Sequence, residues 1–184
     1  MPGWSCPVEV GYGGAMPVPE VTRIDPSRVA GERESLEEWL DYHRATLLWK
    51  CAGLSDEQLA QRSCSPSTLS LLGLVRHMTE VESGWFSDFA GLGYHHPYSS
   101  PDNRDGDFAD VDAAAAAADI AAFQAECEKS RQVVATFALD DTYTDERDRT
   151  FSLRWIYQHM IEEYARHNGH ADLLRERIDG VVGD

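Results

Sequence analysis

Four stretches of the chain repeat apolar side chains every three to four residues, and this pattern confines the fold to packed amphipathic helices. Leu36, Trp39, Leu40, His43, Leu47 and Leu48 predict a first helix over 32–51, closed by Gly53. Leu71, Leu74, Val75, Met78, Val81, Trp85 and Phe89 predict a second over 69–89, ended by Gly91 and Gly93. The alanine run Ala113–Ala118 opens a third that reaches about residue 138, with Ile120, Phe123, Cys127, Val134 and Phe137 inward. A fourth covers 152–178, with Gly180 beyond its end. Between the first two, Ser55-Asp-Glu-Gln58 spells a capping box that starts a short helix through about Arg62. No segment alternates convincingly as a strand. The stretch 91–112 has no periodicity and is too long for a simple turn, so it reads as a crossover. These elements predict an all-α fold, an antiparallel four-helix bundle with a long crossover loop and a short extra helix. Residues 1–31, rich in proline and glycine and including Trp4 and Tyr12, form an irregular N-terminal arm; 32–180 is the bundle domain.

Charge and composition narrow the function. With 16 Lys+Arg against 32 Asp+Glu, the net charge of −16 repels nucleic-acid backbones and anionic lipid surfaces. No apolar run approaches the roughly 20 residues that span a bilayer, and the first residues have neither the basic nor the apolar region of a secretory signal. The expected location is the cytoplasm. Cys6, Cys51, Cys64 and Cys127 form no C-x-x-C pair and read as free thiols in a reducing compartment.

The chemistry is concentrated where polar side chains interrupt apolar stripes. Along the fourth helix the inward positions run Ile156, Met160, Glu163, His167 and His170, then Ala171, Leu174 and Ile178. Glu163 and His167 stand one above the other at i and i+4, and His77 points inward from the second helix, three residues after Leu74. Burying a carboxylate and two imidazoles is costly unless something shared compensates them. A divalent metal held by two histidines and one carboxylate, with coordination positions left open for water and substrate, is one solution. A metal-free hydrogen-bonded network, or a wet groove, is the other.

The remaining candidates carry less. His159 lies one turn before Glu163 at the edge of the stripe. His43 reads as a boundary residue packed on Trp39 and Leu47, and His95 and His96 read as solvated loop histidines. Trp39, Trp49, Trp85 and Trp155 read as core. Cys64 has no visible partner to lower its pKa. The chain contains no G-x-S-x-G, phosphate-binding loop or G-x-G-x-x-G.

Three segments carry a resemblance: G-L-S-D-E-Q-L (53–59), S-T-L-S-L-L-G-L-V-R-H (67–77) and S-L-R-W-I-Y-Q-H-M-I-E-E-Y-A-R-H-N-G-H-A-D-L-L-R-E (152–176). Together they resemble the DinB/YfiT-like superfamily, in its actinobacterial branch that includes the mini-circle proteins. The resemblance implies a four-helix bundle with a long crossover, and in many members three histidines hold a divalent metal. In that register Glu163 stands where the first histidine of the last-helix pair is expected, so the implied ligands are His77, Glu163 and His167. The mycothiol-dependent maleylpyruvate isomerase of the superfamily is similar in using two histidines and a glutamate on zinc. His170 stands where many relatives carry Gln, as a neighbour of the ligands or a substrate contact.

The resemblance further implies metal-assisted chemistry on a low-molecular-weight thiol such as mycothiol, in a thiol S-transferase or thiol-dependent isomerase, with a small-molecule substrate as partner and a monomer or homodimer as the state. Zinc is the first expectation for the metal, and nickel, iron or manganese suit the same donors. Two other expectations stand beside it. One is a metal-dependent Lewis-acid or water-activating enzyme of a biosynthetic pathway; the other is a non-enzymatic stress protein that binds a metal or small ligand.

Overall fold

The computed structural model describes residue 18 and residues 20–183. It is mostly helical with a small two-stranded sheet. Expectations for Trp4, Cys6 and Tyr12 fall outside the described residues. Within the expected arm, residues 20–31 form no regular element and lie along the first helix, with the Arg23 guanidinium over the Trp49 ring and the Ser27 amide donating to Glu38.

The helices are α1 (Glu32–Cys51), α2 (Asp56–Ala60), α3 (Leu71–Glu82), α4 (Gly106–Ala109), α5 (Ala116–Val134) and α6 (Leu153–Asp179). Their starts follow local chemistry. Ser55 and Gln58 exchange both bonds of the capping box, and the Ser70, Asp112 and Ser152 side chains each accept a backbone N–H of the helix or turn that follows. α6 stops at Gly180, whose φ of 81° suits a residue without Cβ. The alanine run begins as a 3-10 turn, Ala113–Ala115, before α5 proper, which ends at Val134 rather than near 138.

Residue pairs fix the directions. Glu32 meets Arg154 and Lys50 meets Asp172, so α1 and α6 run the same way. His77 meets His167 and Trp85 meets Trp155, so α3 opposes α6. Cys127 approaches Glu82 and Phe137 packs on Phe89, so α5 runs parallel to α3. Two parallel helices that follow one another need a connection as long as the helices themselves, which accounts for the stretch 91–112. α4 interrupts that stretch.

Three expectations need correction. A hairpin is present, β1 (Thr142–Thr144) with β2 (Thr150–Ser152), Tyr143 facing Phe151 across it. Strands of three residues are too short to show alternation in the sequence. α3 runs directly into a π-helical turn, Ser83–Ser87, which inserts an extra residue per turn; Phe86 and Phe89 are buried while Trp85 is turned to the flank. Trp39, Trp49, Trp85 and Trp155 are not in the buried core, since Trp39 and Trp155 are exposed and Trp49 and Trp85 half-buried.

The core holds a buried ion pair that joins the helices. Glu82, fully buried, accepts from Arg44 Nε at 2.7 Å and Nη2 at 2.6 Å, and from the Tyr164 hydroxyl at 2.7 Å. Cys127 Sγ lies 3.8 Å from the same carboxylate. α1, α3, α5 and α6 therefore meet at one side chain. Removing one partner leaves the other charge buried and uncompensated, so Glu82→Ala should cost about 3–5 kcal/mol in urea denaturation, whereas Arg131→Ala at the exposed bridge to Asp41 should cost under about 1 kcal/mol.

Candidate metal centre

His77 sits on α3, and Glu163 and His167 one turn apart on α6. Their donor atoms lie within 4.8 Å of one another. His167 Nε2 is 3.5 Å from Glu163 Oε2, and the His77 and His167 rings meet edge-on at 4.7 Å. None of the three is on the fully buried stripe of α6, which runs Ile156, Met160, Tyr164, Asn168, Ala171 and Leu174. Tyr164 can occupy that stripe because its hydroxyl donates a hydrogen bond to Glu82. Glu163 and His167 instead flank the core at the seam with α3, partly exposed at 16% and 12% of their side chains.

A fourth residue completes the arrangement. Asp107 on α4, buried, places Oδ2 2.8 Å from His77 Nδ1. A carboxylate at this distance accepts the Nδ1–H and so fixes the tautomer, leaving the Nε2 lone pair free. Phe108 stacks on the His77 ring at 4.8 Å and limits its rotation. α4 is itself tied to α3 by residues that bracket His77. The Arg76 guanidinium donates to the carbonyls of Gly106 at 2.9 Å and Asp110 at 2.6 Å. Glu80 accepts from the amides of Tyr98 and Ser99 and from the Ser99 hydroxyl. A Cβ at Gly106 would collide with the Tyr98 carbonyl, so the loop closes this tightly only with glycine there.

Asp107, Arg76 and Glu80 were not singled out by the sequence reading. The region holds Asp102, Asp105, Asp107, Asp110 and Asp112, and nothing in their spacing distinguishes one. Arg76 and Glu80 show only the faint signal of charges beside His77 on an otherwise apolar helix.

Burial pushes the His167 imidazole down to about 4, and the neighbouring His77 and His170 push it the same way. It is a neutral nitrogen donor at neutral pH. His170 Nδ1 lies 3.4 Å from His167 Nδ1, which makes it a neighbour of the expected ligands. The donor set therefore fits a divalent ion: two imidazole nitrogens, one fixed in tautomer and one held neutral, with one carboxylate, on a partly open seam.

His159, Glu162 and Glu163 form a second group. It lies on one helix, and Arg166 pairs with Glu162 and approaches Glu163 at 3.6 Å, so its charge is compensated without an ion. The other histidines are elsewhere. His96 packs on Tyr94 and is exposed, as is His95. His43 packs on Trp39 and lies beside Asn168, and burial lowers its pKa.

A family model described as mycothiol-S-transferase matches residues 35–180, a span that contains all six helices except the first turn of α1 and holds all four site residues. The chain belongs to the mycothiol S-transferase family. No curated protein and no solved structure matches it. Membership bears out the DinB/YfiT-like resemblance and associates the chain with mycothiol-related transfer. No helix among the described residues is long and apolar enough to cross a membrane.

His167 titrates below its unfolded value of about 6.5. Between about pH 4 and 6.5 the unfolded chain of this family member binds more protons than the folded one, so the metal-free protein should gain stability as pH rises through that window. A histidine-resolved NMR titration should give a midpoint near 4 for His167, and His167→Gln should flatten that part of the stability profile.

Proposed function

We propose that the protein is a divalent-metal-dependent thiol S-transferase that uses mycothiol, with His77, Glu163 and His167 as the ligands and zinc as the metal. The observation that carries this reading is the convergence of those three donors from α3 and α6, backed by Asp107 behind His77. When bound, such an ion lowers the pKa of a thiol and makes its sulfur nucleophilic at neutral pH. The four long helices are read as a DinB/YfiT-like four-helix bundle over 32–180, and the reaction is assigned to the cytoplasm, where thiols stay reduced.

The chain's own residues prepare the site. Asp107 holds the His77 proton on Nδ1, so Nε2 is the donor that remains. Burial keeps His167 neutral. Glu163 adds one negative charge to the donor set and Asp107 a second behind it, so a divalent cation would be charge-compensated there. The protein's own buried thiols are poor rivals for the role of nucleophile: burial pushes Cys51 up to about 12 and Cys127 higher still. Neither of these two supplies the reacting sulfur, which is assigned to the co-substrate. In the transfer, the thiol gives its proton to solvent and its sulfur forms a bond to an electrophilic carbon. The leaving group departs from that carbon with the bonding pair.

Elemental analysis by mass spectrometry should find about one equivalent of metal in the wild type and none in His77→Ala, with Glu163→Gln strongly depleted. Thiol binding by calorimetry should be saturable and vanish on chelation; binding that survives metal removal would sink the mechanism. Asp107→Asn keeps the shape and loses the charge behind His77, so metal affinity should fall by about 10–100-fold with an unchanged urea midpoint of the metal-free protein.

A further inference from the structure

Beyond the candidate metal centre, one to two turns along α3 from His77, lies an aromatic cleft of ≈ 260 Å³. Val81, one turn along α3 from His77, opens it, and Trp85, one turn further, forms its floor. The hairpin supplies one wall: Tyr143 and Phe151, directly opposed across β1 and β2, both line the cleft. Phe151 meets Trp85 edge-on at 5.4 Å, and the Tyr143 hydroxyl donates to Asp88 at 2.6 Å, which holds that ring in place.

The other wall is Tyr94. Its ring lies 3.1 Å from where a Cβ on Gly84 would stand, so a side chain in the π-helical turn would push the ring outward by a few tenths of an ångström. That turn also brings Trp85 to the cleft, where a regular helix with the stripe expected from the sequence would bury it. The cleft adjoins the donor set through packed side chains. Trp85 packs on His159 at 4.7 Å, and His159 Nε2 is 3.7 Å from Glu163 Oε1.

The charge at the rim is informative. Arg149 is held by Asp145 at 2.6 Å, and Asp88 is a second carboxylate, so the rim does not favour an anion. Flat rings on several sides suit an uncharged planar guest, whose faces and edges they can contact.

We propose that this cleft is the subsite for the electrophile and that it takes uncharged planar aromatic or conjugated compounds, with the reacting carbon toward His77 and Glu163. This rests on the S-transferase reading. The transfer is the one written above: the new S–C bond forms as the leaving group departs from the ring or its substituent with its electron pair, and the thiol proton passes to solvent.

The test uses two unreactive probes of similar size, nitrobenzene and nitrocyclohexane, titrated into the full-length metal-free protein while tryptophan indole N–H signals are followed by NMR. Nitrobenzene should shift the Trp85 signal saturably, and nitrocyclohexane should bind about fivefold more weakly or less. Tyr94→Ala, at an exposed loop position, and Phe151→Leu should each weaken nitrobenzene by about threefold to tenfold, whereas His77→Ala should leave it bound. Equal binding of the two probes, or shifts at Trp39 and Trp49 as large as at Trp85, would overturn the subsite. Thiol binding by the metal-loaded protein separates the two readings. Nitrobenzene bound where no thiol binds would defeat the transfer role, and a thiol bound where nitrobenzene does not would defeat the aromatic cleft alone.

Discussion

The relation between α3 and α6 depends on the buried carboxylate of Glu82. It receives two bonds from Arg44 on α1 and one from Tyr164 on α6, with Cys127 of α5 alongside. A buried ion pair is weak evidence for stability, because desolvation offsets most of the Coulomb attraction. Its effect here is on register. Tyr164 adjoins Glu163 in the chain, and Glu82 lies little more than a turn beyond His77, so sliding α3 along α6 would break the Tyr164 bond and separate the donors. An apolar core of equal volume could hold the helices together without fixing that offset.

The crossover solves a second problem. A partly exposed histidine on a helix can rotate about its side-chain bonds and can carry its proton on either nitrogen. Asp107 removes the choice of tautomer and Phe108 restricts the ring. Both come from a connection that would otherwise be the least ordered part of the molecule. Arg76 and Glu80, on either side of His77 in α3, hold that connection mainly by its backbone, with the Ser99 hydroxyl added. The helix that presents the histidine thus also fixes the loop that orients it. The position of Asp107 relative to His77 does not depend on the distant core.

Most of the helical architecture was legible in the sequence because apolar spacing and capping residues are local. The ends of α1 and α6, and the capping box of α2, agree with expectation to within a residue or two. Glu163 and His167 were legible as a pair because i,i+4 spacing is local too. What could not be read depended on tertiary partners. Arg44 lies in a stripe with Leu40, Leu47 and Cys51, and Glu82 follows Met78 by one turn, but neither reveals the other without the fold. The same stripe logic assigned Glu163 to the core, where Tyr164 stands instead, because a tyrosine can be buried once its hydroxyl has an acceptor. The π-helical turn shifted Trp85 out of phase, and three-residue strands left no period to find.

The candidate ligands stand at the seam rather than in the interior, and the chemistry requires that compromise. A fully buried donor set would be closed, as structural sites are, with no position for a co-substrate. A fully exposed one would let His167 protonate near its ordinary value and compete with the metal for the same lone pair. Partial burial lowers that value while leaving one side open. One to two turns along α3 from His77, the donor atoms give way to rings contributed by the π-helical turn, the hairpin and Tyr94. A nucleophile held at the donors and a flat electrophile held in the neighbouring cleft would then approach each other along α3. The geometry of that approach would be set by the offset of α3 against α6, which the Glu82 contacts determine.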